Sequence, residues 1–489
     1  MKNNKIIFGL LFLVTIGCAD LDTQNLNRAD IERVLANPDD YVGVVEGQYN
    51  VLWHATQHWT SANALTFGTV ADSHTSSWGN FGMKDMSSEP RTAIDNQQTY
   101  TYAYVIESSY EDNYAVIGAV NDVLRLMDAD PDIVVLQEGV DVTIKTKAQA
   151  LYLQGVAYGN LALTYDKAKF VDENVDLADV AGMAYSPYGD LMTSALSKLE
   201  LAITTANSAP DFTVTGYNGI TISRDDYVRL MRTLQAKFMI YVARTDAENS
   251  ATNWADVLTK ANAGITSDFA PIGDGSSWWD AYKYYGTEGG WARVDMRVIN
   301  AMDPSQPSRF PTDNSHPLPP ASGDNRLTSD MTYNTGIPFR ANRGLYHYSH
   351  YDYSRYDYHY PGATGDMPHT TVVESDLIKA EALVRTAGDK NLVATLINNT
   401  RDSRGGLTPM TGADSDTDLL NAILHERYVE LYSNMGGIPF YDRRRSVDDD
   451  GGFRPYSGLQ ALTFRQMPIP AKELNILGED IYTFGGADN

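Results

Sequence analysis

Apolar residues recur at three-to-four spacing over residues 34–53, 104–127, 145–165, 191–206, 226–244 and 254–263, and again over 373–386, 392–401 and 418–432. Each stretch predicts a helix that buries one face. The segment AQALYLQGVAYGNLALTY (148–165) alternates small and large residues, as tetratricopeptide helices do where paired helices approach closely. No strict 34-residue period runs along the chain, so the pattern predicts degenerate helical hairpins rather than a regular array.

Between the helical blocks the pattern breaks. Residues 268–366 are rich in Gly, Pro, Trp and Tyr, and include the Pro-rich stretch 301–320 and YHYSHYDYSRYDYHY (346–360). A segment this long and irregular is usually functional or disordered, and its aromatic content argues for order. The expected fold is mainly α: a tetratricopeptide-like scaffold of helical hairpins with large loop-rich insertions and few short strands. Residues 31–489 read as one domain, with scaffold at about 31–265 and 370–445 and a loop-built binding region at about 266–369.

The N-terminus has its own logic. Lys2 and Lys5 precede an apolar run from Ile6 to Ile16, too short for the ~20 residues of a membrane-spanning helix but suited to an export signal. Gly17 then precedes Cys18, the only cysteine. Residues 1–17 are therefore read as a lipoprotein signal peptide, Cys18 as the lipidated residue, and 18–30 as a polar tether to the membrane. Thr15 stands where such signals usually carry Leu.

Charge and motifs narrow the function classes. With 63 acidic against 38 basic residues, nothing provides the cationic excess that nucleic-acid binding requires. One cysteine excludes a disulfide framework and any Cys-rich metal site. No nucleophile elbow, Walker loop or dinucleotide fingerprint is present. His425-Glu426 begins like a zinc-protease helix, but Val429 replaces the second His. Asp414, Asp416 and Asp418 begin like a calcium loop, but Leu419 and His425 occupy its Gly and Glu positions. His54 and His58 lie one helical turn apart and read as surface histidines rather than metal ligands. A glycosidase needs only two carboxylates ~5–10 Å apart, which any acidic chain offers by chance. The reading is not an enzyme, with no cofactor and no metal, a structural calcium among the loops being left open.

Aromatic residues carry the positive signal, because their rings stack on the apolar faces of sugars while polar neighbours orient hydroxyls. Trp78 and Phe81 lie in SHTSSWGNFG (73–82); Trp278, Trp279, Tyr284, Tyr285 and Trp291 lie in GSSWWDAYKYYGTEGGW (275–291). With the polar candidates Asp72, Asn80, Arg91 and Asp280 they make up the expected ligand site. Trp53 and Trp254, on periodic helix faces, are expected in the core. The alternating Tyr residues of 346–360 read as a half-buried strand.

Three C-terminal segments then converge on one family. LIKAEALVRTAGDKNLVATLINNTRDSRGGL (377–407), ILHERYVELYSNMGGIPFYDRRR (423–445) and MPIPAKELNIL (467–477) resemble the helix-pair, Glu-Arg…Asp-x-x-Arg and Pro-Ile-Pro-x-x-Glu-Leu segments of SusD/RagB-like outer-membrane lipoproteins. Tyr428 stands where that family commonly has Arg, and Asn434-Met435-Gly436 replaces its usual Glu-Gly. The resemblance implies a surface-exposed lipoprotein that captures oligo- or polysaccharide and delivers it, without catalysis, to a SusC-like TonB-dependent transporter. The acidic total favours a neutral glycan. The alternatives are an oligopeptide receptor of the same fold, a surface glycoside hydrolase and a purely structural lipoprotein. No binding residue carries over by name, so the aromatic site rests on ring chemistry alone.

Overall fold

The computed structural model describes residues 35–75, 80–288, 291–309, 323–335, 348–434, 436–446 and 458–487. Residues 1–17, read above as a signal peptide, and 18–30, read as the lipidated cysteine and tether, lie outside them, as does Trp78.

Helices form where the periodicity places them. In the N-terminal half these are α1 (Tyr41–Gln57), α2 (Tyr104–Ala129), α3 (Thr143–Thr164), α4 (Tyr188–Ser208), α5 (Arg224–Tyr241) and α6 (Trp254–Asn262). The first starts later than the expected residue 34, because a 3-10 turn at Pro38–Asp40 precedes it. Consecutive helices pair: α1 with α2, α2 with α3, α3 with α4, and α4 with α5. Glycines set the closest approach. A Cβ on Gly159 of α3 would lie 2.1 Å from the Phe238 ring of α5, and one on Gly155 would lie 2.9 Å from Leu199 of α4. The small residues of 148–165 are therefore what lets α3 sit between two neighbours.

The middle of the chain has a short helix, α7 (Ala281–Thr287), and small two-stranded pairings. Strand β1 (His74–Thr75) pairs antiparallel with β3 (Arg293–Val294), and β2 (Ile272–Asp274) with β6 (Thr364–Asp366). Strand β4 (Met331–Tyr333) pairs with β5 (Tyr351–Tyr353). Among its described residues the Tyr-rich segment is a strand at β5 and continues as a 3-10 turn at Asp357–His359, so the expected half-buried strand is corrected to a short one. Tyr348, Tyr351, Tyr353 and Tyr356 are buried, whereas Tyr358 and Tyr360 are exposed.

The C-terminal helices are α8 (Val372–Arg385), α9 (Lys390–Arg401), α10 (Asp416–Glu430) and α11 (Ile438–Ser446). Thr371, Asp389 and Ser415 cap the first three by accepting from a backbone N–H of the first turn. Their family-like motif residues meet in a buried charge cluster. Glu381 of α8 bonds Arg427 of α10 at 2.5 Å and Arg445 of α11 at 2.7 Å; Asp442 bonds Arg445 at 2.6 Å. Glu381, Arg427 and Arg445 are no more than 3% exposed in their side chains. The Arg427 and Arg445 guanidiniums hold the Glu381 carboxyl far below the usual carboxylate range against the opposing effect of burial. These motifs therefore lock three scaffold helices together.

Trp53 and Trp254 are buried, as expected of helix-face tryptophans. Among the described residues no helix is long and apolar enough to cross a membrane, and no group of three His, Cys, Asp or Glu could hold a metal ion.

Candidate functional site

Aromatic residues from five separate segments meet on one side of the scaffold. Tyr100, Tyr102 and Tyr104 lead into α2; His54, His58 and Trp59 lie at the end of α1 and just beyond it; Phe81 follows β1; Trp279, Tyr284, Tyr285 and Trp291 lie on and around α7; Tyr360 follows β5. The rings touch in series. Centroids are 5.6 Å apart from Tyr100 to Tyr102, 6.1 Å to Tyr104, and 5.5 Å from Tyr104 to Trp59. Phe81 lies 5.4 Å from Trp59 and stacks on Trp291 at 5.8 Å with planes 16° apart. From Trp291 the series continues to Tyr285 at 4.9 Å, Tyr284 at 5.0 Å and Tyr360 at 5.0 Å. Trp279 closes it from inside, 5.4 Å from both Tyr284 and His58.

Local chemistry fixes each contributor. Asp274 accepts from the backbone N–H groups of Ser276, Ser277 and Trp278 at 2.8–2.9 Å, turning the chain so that the two adjacent indoles diverge. Trp278 goes inward, against Trp53 at 5.7 Å and Tyr217 at 6.0 Å. Trp279 stays partly exposed, and its carbonyl accepts from the Trp53 indole N–H at 2.8 Å. Asn50 and His54 of α1 hold the Ser277 carbonyl, each at 2.9 Å. Asp280 caps α7 by accepting from the Lys283 N–H at 3.0 Å. Phe81 takes a left-handed φ of 56° and Gly82 one of 68°, a turn that carries the Phe81 ring under Trp291.

Of the residues expected to contact a ligand, Trp279, Tyr284, Tyr285, Trp291 and Asn80 are partly exposed, and the four aromatic ones share the ring surface. Trp78 lies outside the described residues, and the remaining five are corrected by burial. Trp278 is 8% exposed and belongs to the core; Phe81 is 7% exposed and supports the platform from below. Asp72 and Arg91 bond each other at 2.8 Å with side chains 3% and 2% exposed, and Arg297 and Arg443 also pair with Asp72. Asp280 bonds the Lys283 ammonium at 2.6 Å with almost no exposure. A charge that is buried must be paired, so these polar groups hold the loops and have no face for a ligand. The expected ligand contacts did not include His58, Trp59, Tyr102, Tyr104 or Tyr360. The alternate tyrosines of TYTYAY just ahead of α2, and two histidines one turn apart beside a Trp, were the available signals.

At neutral pH His58, Tyr104, Tyr284 and Tyr285 are uncharged. Burial and the neighbouring His54 push His58 down to about 4, so its imidazole is neutral. Burial raises Tyr104 to about 12 and also raises Tyr284 and Tyr285, so their hydroxyls stay protonated as donors and acceptors. Asp112 of α2 is raised to about 6 by burial, an effect that His54 opposes. Among the described residues, no Lys or Arg stacks on Trp59, Trp279, Tyr284, Tyr285 or Trp291; the ring-stacked cations lie elsewhere, as with Lys283 over Tyr356. The arrangement can hold a flat, uncharged, partly apolar molecule by stacking and hydrogen bonds. A separate groove of about 550 Å³ runs along the outer side of α2, lined by Tyr110, Tyr114, Gly118 and Arg125.

No protein-family model matches the chain, and no curated protein matches it in sequence. Solved structures match its fold. A SusD superfamily protein from Parabacteroides distasonis is similar with a TM-score of 0.62 at 14% identity, over 94% of this chain and 100% of that one. A SusD-like carbohydrate-binding protein from Bacteroides fragilis gives 0.62 at 14% identity over 91% and 99%. Surface glycan-binding protein A from Bacteroides uniformis gives 0.58 at 13% identity over 89% and 97%. The fold of this chain is the SusD-superfamily fold.

Proposed function

We propose that this protein captures a neutral oligo- or polysaccharide on the aromatic platform and passes it, unmodified, to a SusC-like TonB-dependent transporter while anchored to the outer membrane through a lipid on Cys18. The observation that carries the reading is the uncharged run of touching rings whose outer members, Trp59, Trp279, Tyr284, Tyr285, Trp291 and Tyr360, keep a partly exposed surface. Stacking contributes ~1 kcal/mol per ring beyond area burial, so several rings acting together reach the ~8 kcal/mol of micromolar binding. Solved proteins of this fold that are described as carbohydrate-binding support the same reading. Anionic glycans are disfavoured by the acidic excess of the chain and by Asp112, which stands near His54.

The test is affinity-gel electrophoresis of the purified protein against neutral polysaccharides, anionic polysaccharides and a peptide mixture. Retardation by a neutral glycan recovered unchanged supports the reading. Release of shorter products points instead to a hydrolase, and binding confined to peptides points to a peptide receptor. The lipid anchor is tested separately, by mass spectrometry of the mature N-terminus.

A further inference from the structure

His359 lies beneath the platform, fully buried, and joins the segments that build one edge of it. Its Nε2 accepts from the Asp280 N–H at 3.1 Å, immediately before α7, which carries Tyr284 and Tyr285. A backbone N–H can only donate, so Nε2 is unprotonated and the ring proton sits on Nδ1, which donates to the Thr364 carbonyl at 3.1 Å. The ring also abuts β2: a Cβ on Gly273 would lie 3.0 Å from the His359 Cε1 atom. The next residue, Tyr360, packs its ring on Tyr284.

We propose that His359 is a positioning residue of the platform, and that a proton gained at Nε2 opens the Tyr284–Tyr360 edge and releases bound glycan. This regulation rests on the glycan-binding reading above. Protonation turns the acceptor into a donor that faces the Asp280 N–H, so two donors confront each other in a buried place. The charged groups facing the ring are the Asp280 carboxylate, which favours the imidazolium, and the Lys283 ammonium, which opposes it. Gly273 and Thr364 present only backbone, and Tyr284 presents a neutral ring at 6.5 Å. Burial holds His359 below the ordinary 6.5, so the change falls on the acid side of that value. A bound glycan selects the closed edge, and apparent affinity falls with the fraction that remains closed.

The primary readout needs no ligand: tryptophan emission of the purified protein titrated from pH 7.5 to pH 4. The expected result is a transition below pH 6.5 that disappears in His359→Gln, whose amide oxygen accepts without titrating. A transition retained in that variant places the titrating group elsewhere and overturns the proposal, as does the absence of any transition. In parallel, ¹⁵N shifts of the imidazoles at pH 7.5 must place the His359 proton on Nδ1; an Nε2–H tautomer overturns the proposal whether or not the variant folds. With a retained neutral glycan, affinity should drop about tenfold across the transition in the wild type and stay level in His359→Gln. If no glycan binds, the function proposed above fails while the emission and tautomer arms still decide whether His359 organises these rings.

Discussion

Replacing Glu381 with Gln removes one negative charge from a buried cluster that also holds Arg427, Arg445 and Asp442. Glu381 accepts from both terminal nitrogens of Arg445, at 3.0 and 2.7 Å, and from Arg427. In the variant Arg427, Arg445 and the more exposed Arg385, which pairs with Glu381 at 3.4 Å, lose that carboxylate's charge, and Arg427 and Arg445 keep Asp442 as their shared carboxylate partner. Breaking a buried pair from one side costs about 3–5 kcal/mol. Gln preserves the volume and one carbonyl acceptor, which places Glu381→Gln near the lower end, at about 3 kcal/mol. The assay is equilibrium urea unfolding followed by far-ultraviolet circular dichroism at pH 7, read as a shift of midpoint at constant slope. The Lys472–Glu111 pair serves as the control, because its side chains are 49% and 50% exposed; Lys472→Ala should cost less than about 1 kcal/mol. The pH dependence has a definite sign. The folded-state pKa of Glu381 is depressed, so its contribution is present above the unfolded value of about 4.3 and is lost as pH falls below it. The gap between wild type and variant should be constant from pH 7 to about 4.5 and narrow toward pH 3. A loss under about 1 kcal/mol, or a gap that does not narrow in acid, contradicts the view that this cluster clamps the three helices.

Other expectations follow from the same contacts. Gly159→Ala should destabilise by about 1–3 kcal/mol in the same urea assay, because its Cβ would lie 2.1 Å from the Phe238 ring. Trp278→Ala should lower stability by about 3–5 kcal/mol as a core deletion; a variant of unchanged stability would return Trp278 to the surface. Asp112→Asn tests an elevated carboxyl. Its folded pKa of about 6 exceeds the unfolded one, so wild-type stability from this group falls as pH rises from 4 toward 6. The Asn variant should therefore gain relative to wild type at pH 7 and not at pH 4, measured by thermal melts at both.

All nine expected helices were legible because a 3.6-residue period is a local property. α3, with its glycines against Phe238 and Leu199, was recognisable even in its packing style. The C-terminal motifs were legible as sequence, but their physical role was not: Glu381 and Arg445 are 64 residues apart, and only the fold brings them together. The site shows the same division. Ring chemistry singled out Trp279, Tyr284, Tyr285 and Trp291, yet exposure depends on long-range packing. Trp278 and Trp279 are neighbours in sequence and opposite in role because Asp274 turns the chain between core and surface. Asp72 and Arg91 looked available because loops are usually solvated, while the pairing of Asp72 with Arg297 joins parts of the chain that no local pattern connects. Tyr102, Tyr104 and Tyr360 enter the platform through contacts that arise only once α1, α2 and α7 are assembled.

The most direct measurement is calorimetric titration of a neutral oligosaccharide, chosen by gel retardation, into wild-type protein, Trp279→Ala and Trp59→Ala. The account predicts micromolar binding by the wild type, with each indole removal weakening it about fivefold or more and leaving the melting temperature little changed. Equal affinity in all three proteins, or no binding of any neutral glycan, would contradict the assignment of the aromatic platform as the capture surface.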